Sequence, residues 1–190
     1  NDGNDFSSVG ITSGNNVVLN DINALVLDAS TISGTLDVTT NGAITDNGAL
    51  QVTGAATFTA GSANEITLNN ANDFASVGIT SGKNVVINDI NALILNASTI
   101  SGTLDVTTNG AISNSGGLVV TGASTFAAGS GNDITLNVAN DFSSVGITSG
   151  KNVTIYDINA LALNASTISG DLDIYASING NGVITQNGAL

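Results

Sequence analysis

The chain has 190 residues, 23 of them Gly, a net charge of −13, and no Cys, His, Met, Pro or Trp. Charged residues make up 9%, against about 25% in ordinary globular domains, and Lys83 and Lys151 are the only cations. This balance disfavours nucleic acid and anionic membrane surfaces as partners, rules out disulfides, and leaves no apolar run near the roughly 18 residues of a membrane span.

The remaining alphabet is Asn, Thr, Ser and Gly with Val, Ile, Leu and Ala, which suits short strands and tight turns rather than helices. In chain order, short apolar pieces stand between turn letters: "SVGI" at 8–11, "VVL" at 17–19, "ALVL" at 24–27, "STI" at 30–32 and "TLDV" at 35–38. They continue with "GAI" at 42–44, "ALQV" at 49–52, "ATF" at 56–58 and "EITL" at 65–68. The sequence then starts again. "NDFSSVGITSG" at 4–14 returns as "NDFASVGITSG" at 72–82 and "NDFSSVGITSG" at 140–150, and "ASTISG" at 29–34 returns at 97–102 and 165–170. The copies are 4–71, 72–139 and a partial 140–190, the last carrying about four extra residues around "YASINGNGVI". They read as one continuous rod, a slice of a longer array.

Nine strand candidates in 68 residues predict an all-β fold, a right-handed parallel β-helix or β-solenoid. Three strands per coil give about three coils of roughly 23 residues per repeat, rising about 14 Å, and about 40 Å for the chain; a division into four thinner coils stays open. Each coil meets nearly the same neighbours, so the same local solution can recur. Alternation points Val17, Leu19, Leu25, Leu27, Leu36, Val38, Leu50, Val52, Ile66 and Leu68 inward. Phe6, Phe74 and Phe142, with Phe58 and Phe126, are expected to fill the lumen. In "ASTISG", Ala29 and Ile32 are expected to face inward, Ser30 and Thr31 to form the corner, and Gly34 to permit the next turn. Asn20, Asn88, Asn23 and Asn91 are candidates for stacked amide ladders.

Asn132–Phe142, Val85–Gly102 and Leu36–Gly61 carry a resemblance that extends over nearly the whole chain: the repeats resemble those of filamentous-haemagglutinin-like adhesins of Gram-negative bacteria. The resemblance implies a right-handed parallel β-helix, export across the outer membrane, and service as the shaft of a secreted or surface-exposed adhesin or matrix fibre. It places the chain outside the cell or on the bacterial outer surface, with neighbouring repeats as its main partners. A self-assembling filament or sheath subunit, stacking end to end, and a module that binds a host or matrix glycan or receptor are the alternatives.

Three kinds of chemistry compete with that reading. Asp21, Asp89 and Asp157 recur at one turn, and Asp5, Asp73 and Asp141 at another. Stacked carboxylates suit Ca²⁺, and "GSGNDITL" at 129–136 has a calcium-repeat flavour, but its nonapeptide rhythm is missing; capping of turns by Asp is favoured. No metal or cofactor site is therefore assigned. Asp171 and Asp173 share a strand face, as a glycosidase pair would, but nothing in the sequence builds a cleft around them, so no catalytic residue is assigned and no enzyme is expected. Thr57-Phe58-Thr59 has the pattern of an ice-binding strand, yet the second copy reads Ser124-Thr125-Phe126-Ala127 and breaks it. Asn96, Asn152 and Asn164 head glycosylation sequons, and Tyr156 and Tyr175, confined to the third copy, are a candidate sugar-contact patch.

Overall fold

A computed structural model describes residues 3–176 and 182–190. Every regular element among them is a strand, and the strands pair in parallel, the β-solenoid that the repeats predict. No helix among these residues is long and apolar enough to cross a membrane. The first strands are β1 (Ser8–Val9), β2 (Val17–Asp21), β3 (Leu25–Leu27), β4 (Ser30–Ile32) and β5 (Leu36–Thr40). They are followed by β6 (Ile44–Asp46), β7 (Leu50–Thr59) and β8 (Ile66–Ser81). The second copy repeats this series as β9 (Val85–Asp89), β10 (Leu93–Leu95), β11 (Ser98–Ile100), β12 (Leu104–Thr108), β13 (Ile112–Asn114), β14 (Leu118–Ala127) and β15 (Ile134–Ser149). The third supplies β16 (Val153–Asp157), β17 (Leu161–Leu163), β18 (Leu172–Ala176) and β19 (Ile184–Gln186). Pieces that are separate in sequence fuse where the turn between them stays extended: "ALQV" and "ATF" lie within β7, and "EITL" runs on through "NDFASVGITS" as β8.

The ladder registers give the pitch. Val17 stacks on Leu36, Leu36 on Ala56, Ala56 on Val77 and Val77 on Leu95, so successive coils take 19, 20, 21 and 18 residues. Val85, which corresponds to Val17 one repeat later, falls between Val77 and Leu95 and lies in the opposite sheet, stacked between Ile66 and Leu104. One 68-residue repeat therefore makes three and a half coils, midway between the three and the four that the sequence left open. After two repeats the pattern returns to its first face: the β16–β18 ladder belongs to the same sheet as β2–β5, and the β9–β12 ladder to the other. The short third strand that widens one edge follows the same rule. It is β4 stacked on β7 in the first copy and β11 stacked on β14 in the second, where it widens the opposite edge.

The interior is a single apolar column. Leu25, Leu27, Leu36, Val38, Leu50, Val52, Ile66 and Leu68 are buried, as their alternation requires. Phe58 packs edge-on against Phe74 with ring centroids 6.1 Å apart, and Phe126 against Phe142 at the same distance. Val17 and Leu19 are only half-buried, and Phe6 is 39% exposed, because in this chain their coil has a neighbour on one side only. Two assignments within "ASTISG" are corrected. Ala29 is exposed and Ser30 is buried, since strand parity sets Ser30 on the same side as Ile32. The Ser30 hydroxyl earns its place inside: it donates to the Asp28 carbonyl (2.8 Å) and accepts from the Ile11 N–H (3.0 Å). Gly34 does serve the turn, because a Cβ there would collide with Asn15 and Asn16 of the preceding coil.

Candidate functional site

Each repeat contains one step where a wide edge gives way to a narrow one, and the recurring polar residues gather there. At the first complete step, strand segment 73–74 is the last of its stack, and the tight turn Ile90-Asn91-Ala92 lies beyond it. A shallow groove of about 330 Å³ results, lined by Gln51, Thr53, Asp73, Phe74, Asn91 and Ala92. Its counterpart one repeat later, of about 370 Å³, is lined by Val119, Thr121, Asp141, Phe142, Asn159 and Ala160. Because a repeat is three and a half coils, these two grooves open on opposite edges.

The step would strand backbone donors, and "DINAL" satisfies them. Asp89 is fully buried; its Oδ2 accepts from the Phe74 N–H at 2.7 Å and its Oδ1 from the Asn91 N–H at 2.9 Å. Asp21 does the same for Phe6 and Asn23, and Asp157 for Phe142 and Asn159. Burial raises the Asp89 and Asp157 pKa values above the ordinary carboxylate value; the two backbone donors oppose this, and Asp73 or Asp141 nearby adds to it. The second Asp set lies just outside. Asn23, Asn91 and Asn159 donate through Nδ2 to Asp5, Asp73 and Asp141 at 2.7–2.8 Å. The two carboxylate sets are thus linked by an amide, and the turn-capping role of Asp21, Asp89 and Asp157 is what the structure shows. Among the described residues no three carboxylates converge as a metal site would need.

The Asn candidates form Asn–Asp pairs and backbone bonds rather than amide ladders: Asn23 and Asn91 bind carboxylates, Asn88 donates to the Asn69 carbonyl, and the Asn20 carbonyl accepts from Asn4. The physical reason is the register: copies of one position lie several coils apart, so the ladder partner of Asn20 is Thr39 and that of Asn88 is Thr107 rather than the same Asn of another copy. A buried amide pair does occur at positions that sequence reading missed. Asn140 is fully buried and accepts through Oδ1 from Asn114 Nδ2 (2.8 Å) and the Leu118 N–H (3.0 Å), while its own Nδ2 donates to the Leu136 and Tyr156 carbonyls. Asn72 is its counterpart, with Asp46 in the place of Asn114. The available signal was the invariant Asn ahead of "DF" in all three copies.

Other candidates are dispersed. Asp171, just ahead of β18, and Asp173, within it, are both exposed and lie outside the two grooves. Thr57 stacks between Asp37 and Gly78, which ends any threonine ladder. "GSGNDITL" is a turn that runs into the start of β15: Gly129 takes φ 82°, as Gly61 takes 84°, and Asn132 Nδ2 closes the turn onto the Ala128 carbonyl at 2.7 Å. The sequon residues Asn96 and Asn164 donate to Ser76 and Ser144 hydroxyls, and Asn152 donates to Asp133. Tyr156 and Tyr175 are register partners with ring centroids 4.5 Å apart on an outer face. Part of the extra segment of the third copy, 177–181, lies outside the described residues.

The chain belongs to the family described as repeats of unknown function (DUF5649), whose model matches residues 14–81, 82–149 and 150–190. That is the same 68-residue period with its origin moved ten residues along, a shift without physical meaning in a tandem array. No curated protein and no solved structure matches the chain.

Proposed function

We propose that these repeats form a shaft segment of a secreted or surface-exposed bacterial adhesin or matrix fibre, a stiff spacer that sets the distance between a binding site and the cell. The filamentous-haemagglutinin-like resemblance of the repeats supplies the context. The observation that carries the reading is the unbroken apolar column, running through all three copies with the same residues, Leu36, Leu104 and Leu172 or Phe74 and Phe142, returning at the same places. A repeat unit whose neighbours above and below are alike can be added without redesign, so length becomes a function of copy number. In this reading the chain performs no catalysis, and its location is extracellular or on the outer cell surface.

Each added repeat contributes three and a half coils, about 17 Å at the usual strand spacing. Small-angle scattering on chains with one extra and one fewer copy tests this: the maximum dimension is expected to change by that increment each time while the cross-section stays constant. A cross-section that grows with copy number would refute a shaft. Surface labelling of the parent cells with an antibody to the repeats tests the location, and signal only after lysis would oppose it.

A further inference from the structure

Comparison of the three copies strand by strand separates what the lumen needs from what the outside is free to change. On β2, β9 and β16, the inward Val17, Val85 and Val153 are identical, and Leu19, Ile87 and Ile155 are near-equivalents. On β5, β12 and β18 the inward residues are Leu36, Leu104 and Leu172, then Val38, Val106 and Ile174. The outward positions behave differently in the third copy alone. Asn20 and Asn88 become Tyr156, Thr39 and Thr107 become Tyr175, and Thr35 and Thr103 become Asp171, while Asp37 and Asp105 are kept as Asp173.

These changes fall in one place. Tyr156 and Tyr175 face each other across the β16–β18 ladder with rings inclined at 57°, forming an open aromatic notch rather than a closed stack. Tyr175 is 53% exposed. Asp173 precedes it by two residues on the same strand, is exposed, and points to the same side, about 7 Å along the strand. Across the ladder Asp173 is the register partner of Thr154, as Tyr175 is of Tyr156, so its carboxylate stands beside the rings on the exposed face. Nothing in the lumen requires a tyrosine pair here, because the other copies close the same ladder with Asn and Thr.

We propose that Tyr156, Tyr175 and Asp173 form a docking site for a cationic side chain, an arginine- or lysine-bearing segment of a basic partner. Charge and shape agree on that occupant. A net charge of −13 draws basic partners from a distance; a ring face attracts a cation through its quadrupole, and the adjacent carboxylate completes the pair. The site goes beyond the spacer reading and holds whether or not the rod is a shaft.

A labelled octa-arginine peptide, followed by fluorescence anisotropy at about 0.15 M salt, where exposed long-range attraction is largely screened, is the test. Tyr156→Asn with Tyr175→Thr restores the residues of the other copies without altering net charge, and circular dichroism verifies the fold. The double variant is expected to bind at least about fivefold more weakly than the parent, and Asp173→Asn to weaken binding as well. Binding by the double variant within twofold of the parent would overturn the site and leave only general attraction to an acidic rod. Absence of saturable binding by the parent would overturn it too. The two tyrosines are the chain's only tyrosines and no tryptophan is present, so intrinsic fluorescence reports on this notch directly. Saturable quenching by a neutral oligosaccharide, with none by the peptide, would replace the cation with a sugar.

Discussion

Asp89 Oδ2 accepts a 2.7 Å hydrogen bond from the Phe74 N–H, joining the last strand of a wide edge to the narrow turn beyond it. The bond explains why "NDF" and "DINAL" recur together: one motif ends a stack, and the other caps it. It also puts a carboxylate in a place with no exposure to water, with consequences for pH.

Burial holds the Asp89 pKa above its ordinary value of 3.8, as it does for Asp157. The folded chain therefore binds these protons more tightly than the unfolded one. Their favourable contribution is complete below the unfolded value and is lost as pH rises through the raised folded value. The melting temperature is expected to climb more steeply on acidification from neutral pH in the parent than in an Asp89→Asn/Asp157→Asn variant. All other carboxylates are common to both proteins, so the difference in slope isolates these two. Equal slopes in thermal melts across that range would refute the assignment.

Asn140 serves four backbone or side-chain groups from a fully buried site. Asn140→Leu keeps the approximate volume but leaves the Leu118 N–H and two carbonyls without their partner. At about 1 kcal/mol or more for each group left unsatisfied, the expected loss is about 3 kcal/mol. Urea denaturation measures it; a loss below about 1 kcal/mol would mean that the amide is dispensable.

Ser124 presents the opposite case. Its Oγ is buried and has no hydrogen-bond partner, and the first copy places Ala56 at the equivalent position. Ser124→Ala is expected to stabilise the chain by about 1 kcal/mol, and Ala56→Ser to destabilise it by about the same amount, since each exchange removes or adds one unsatisfied hydroxyl. Denaturation midpoints of the two variants moving in the same direction would contradict this.

Much of this architecture is written in the residues. The inward set from Leu25 to Leu68 follows from two-residue alternation, and the period follows from "ASTISG". Ser30 was misplaced because its polarity outweighed its parity with Ile32, although a buried hydroxyl with two backbone partners costs little. The half-turn relation between copies was hidden for a different reason. It depends on how many residues each corner consumes, 19 here and 21 there, and strands of three to five residues carry no mark of which sheet they join. Asn140 was hidden because burial of an amide depends on partners 22 and 26 residues earlier, a separation set by coil length. The tyrosine pair was visible as two residues, but their contact rests on the same unseen 19-residue register.

The half-turn relation has its own spectroscopic signature. Asp37, Asp105 and Asp173 are equivalent exposed positions one repeat apart, and the chain has no cysteine of its own, so pairs of Cys substitutions can be spin-labelled cleanly. Asp37 and Asp173 lie seven coils apart on one face, about 34 Å along the axis. Asp37 and Asp105 lie three and a half coils apart, about 17 Å, but on opposite faces, so the width of two packed sheets, about 10 Å, and both label arms add across the rod. Electron–electron resonance on the two pairs is expected to give distances in a ratio well below two, near 1.3. Were each repeat a whole number of coils, all three positions would share a face and the longer distance would be twice the shorter. A measured ratio of two would therefore abolish the alternation of faces, and with it the placing of successive grooves on opposite edges of the rod.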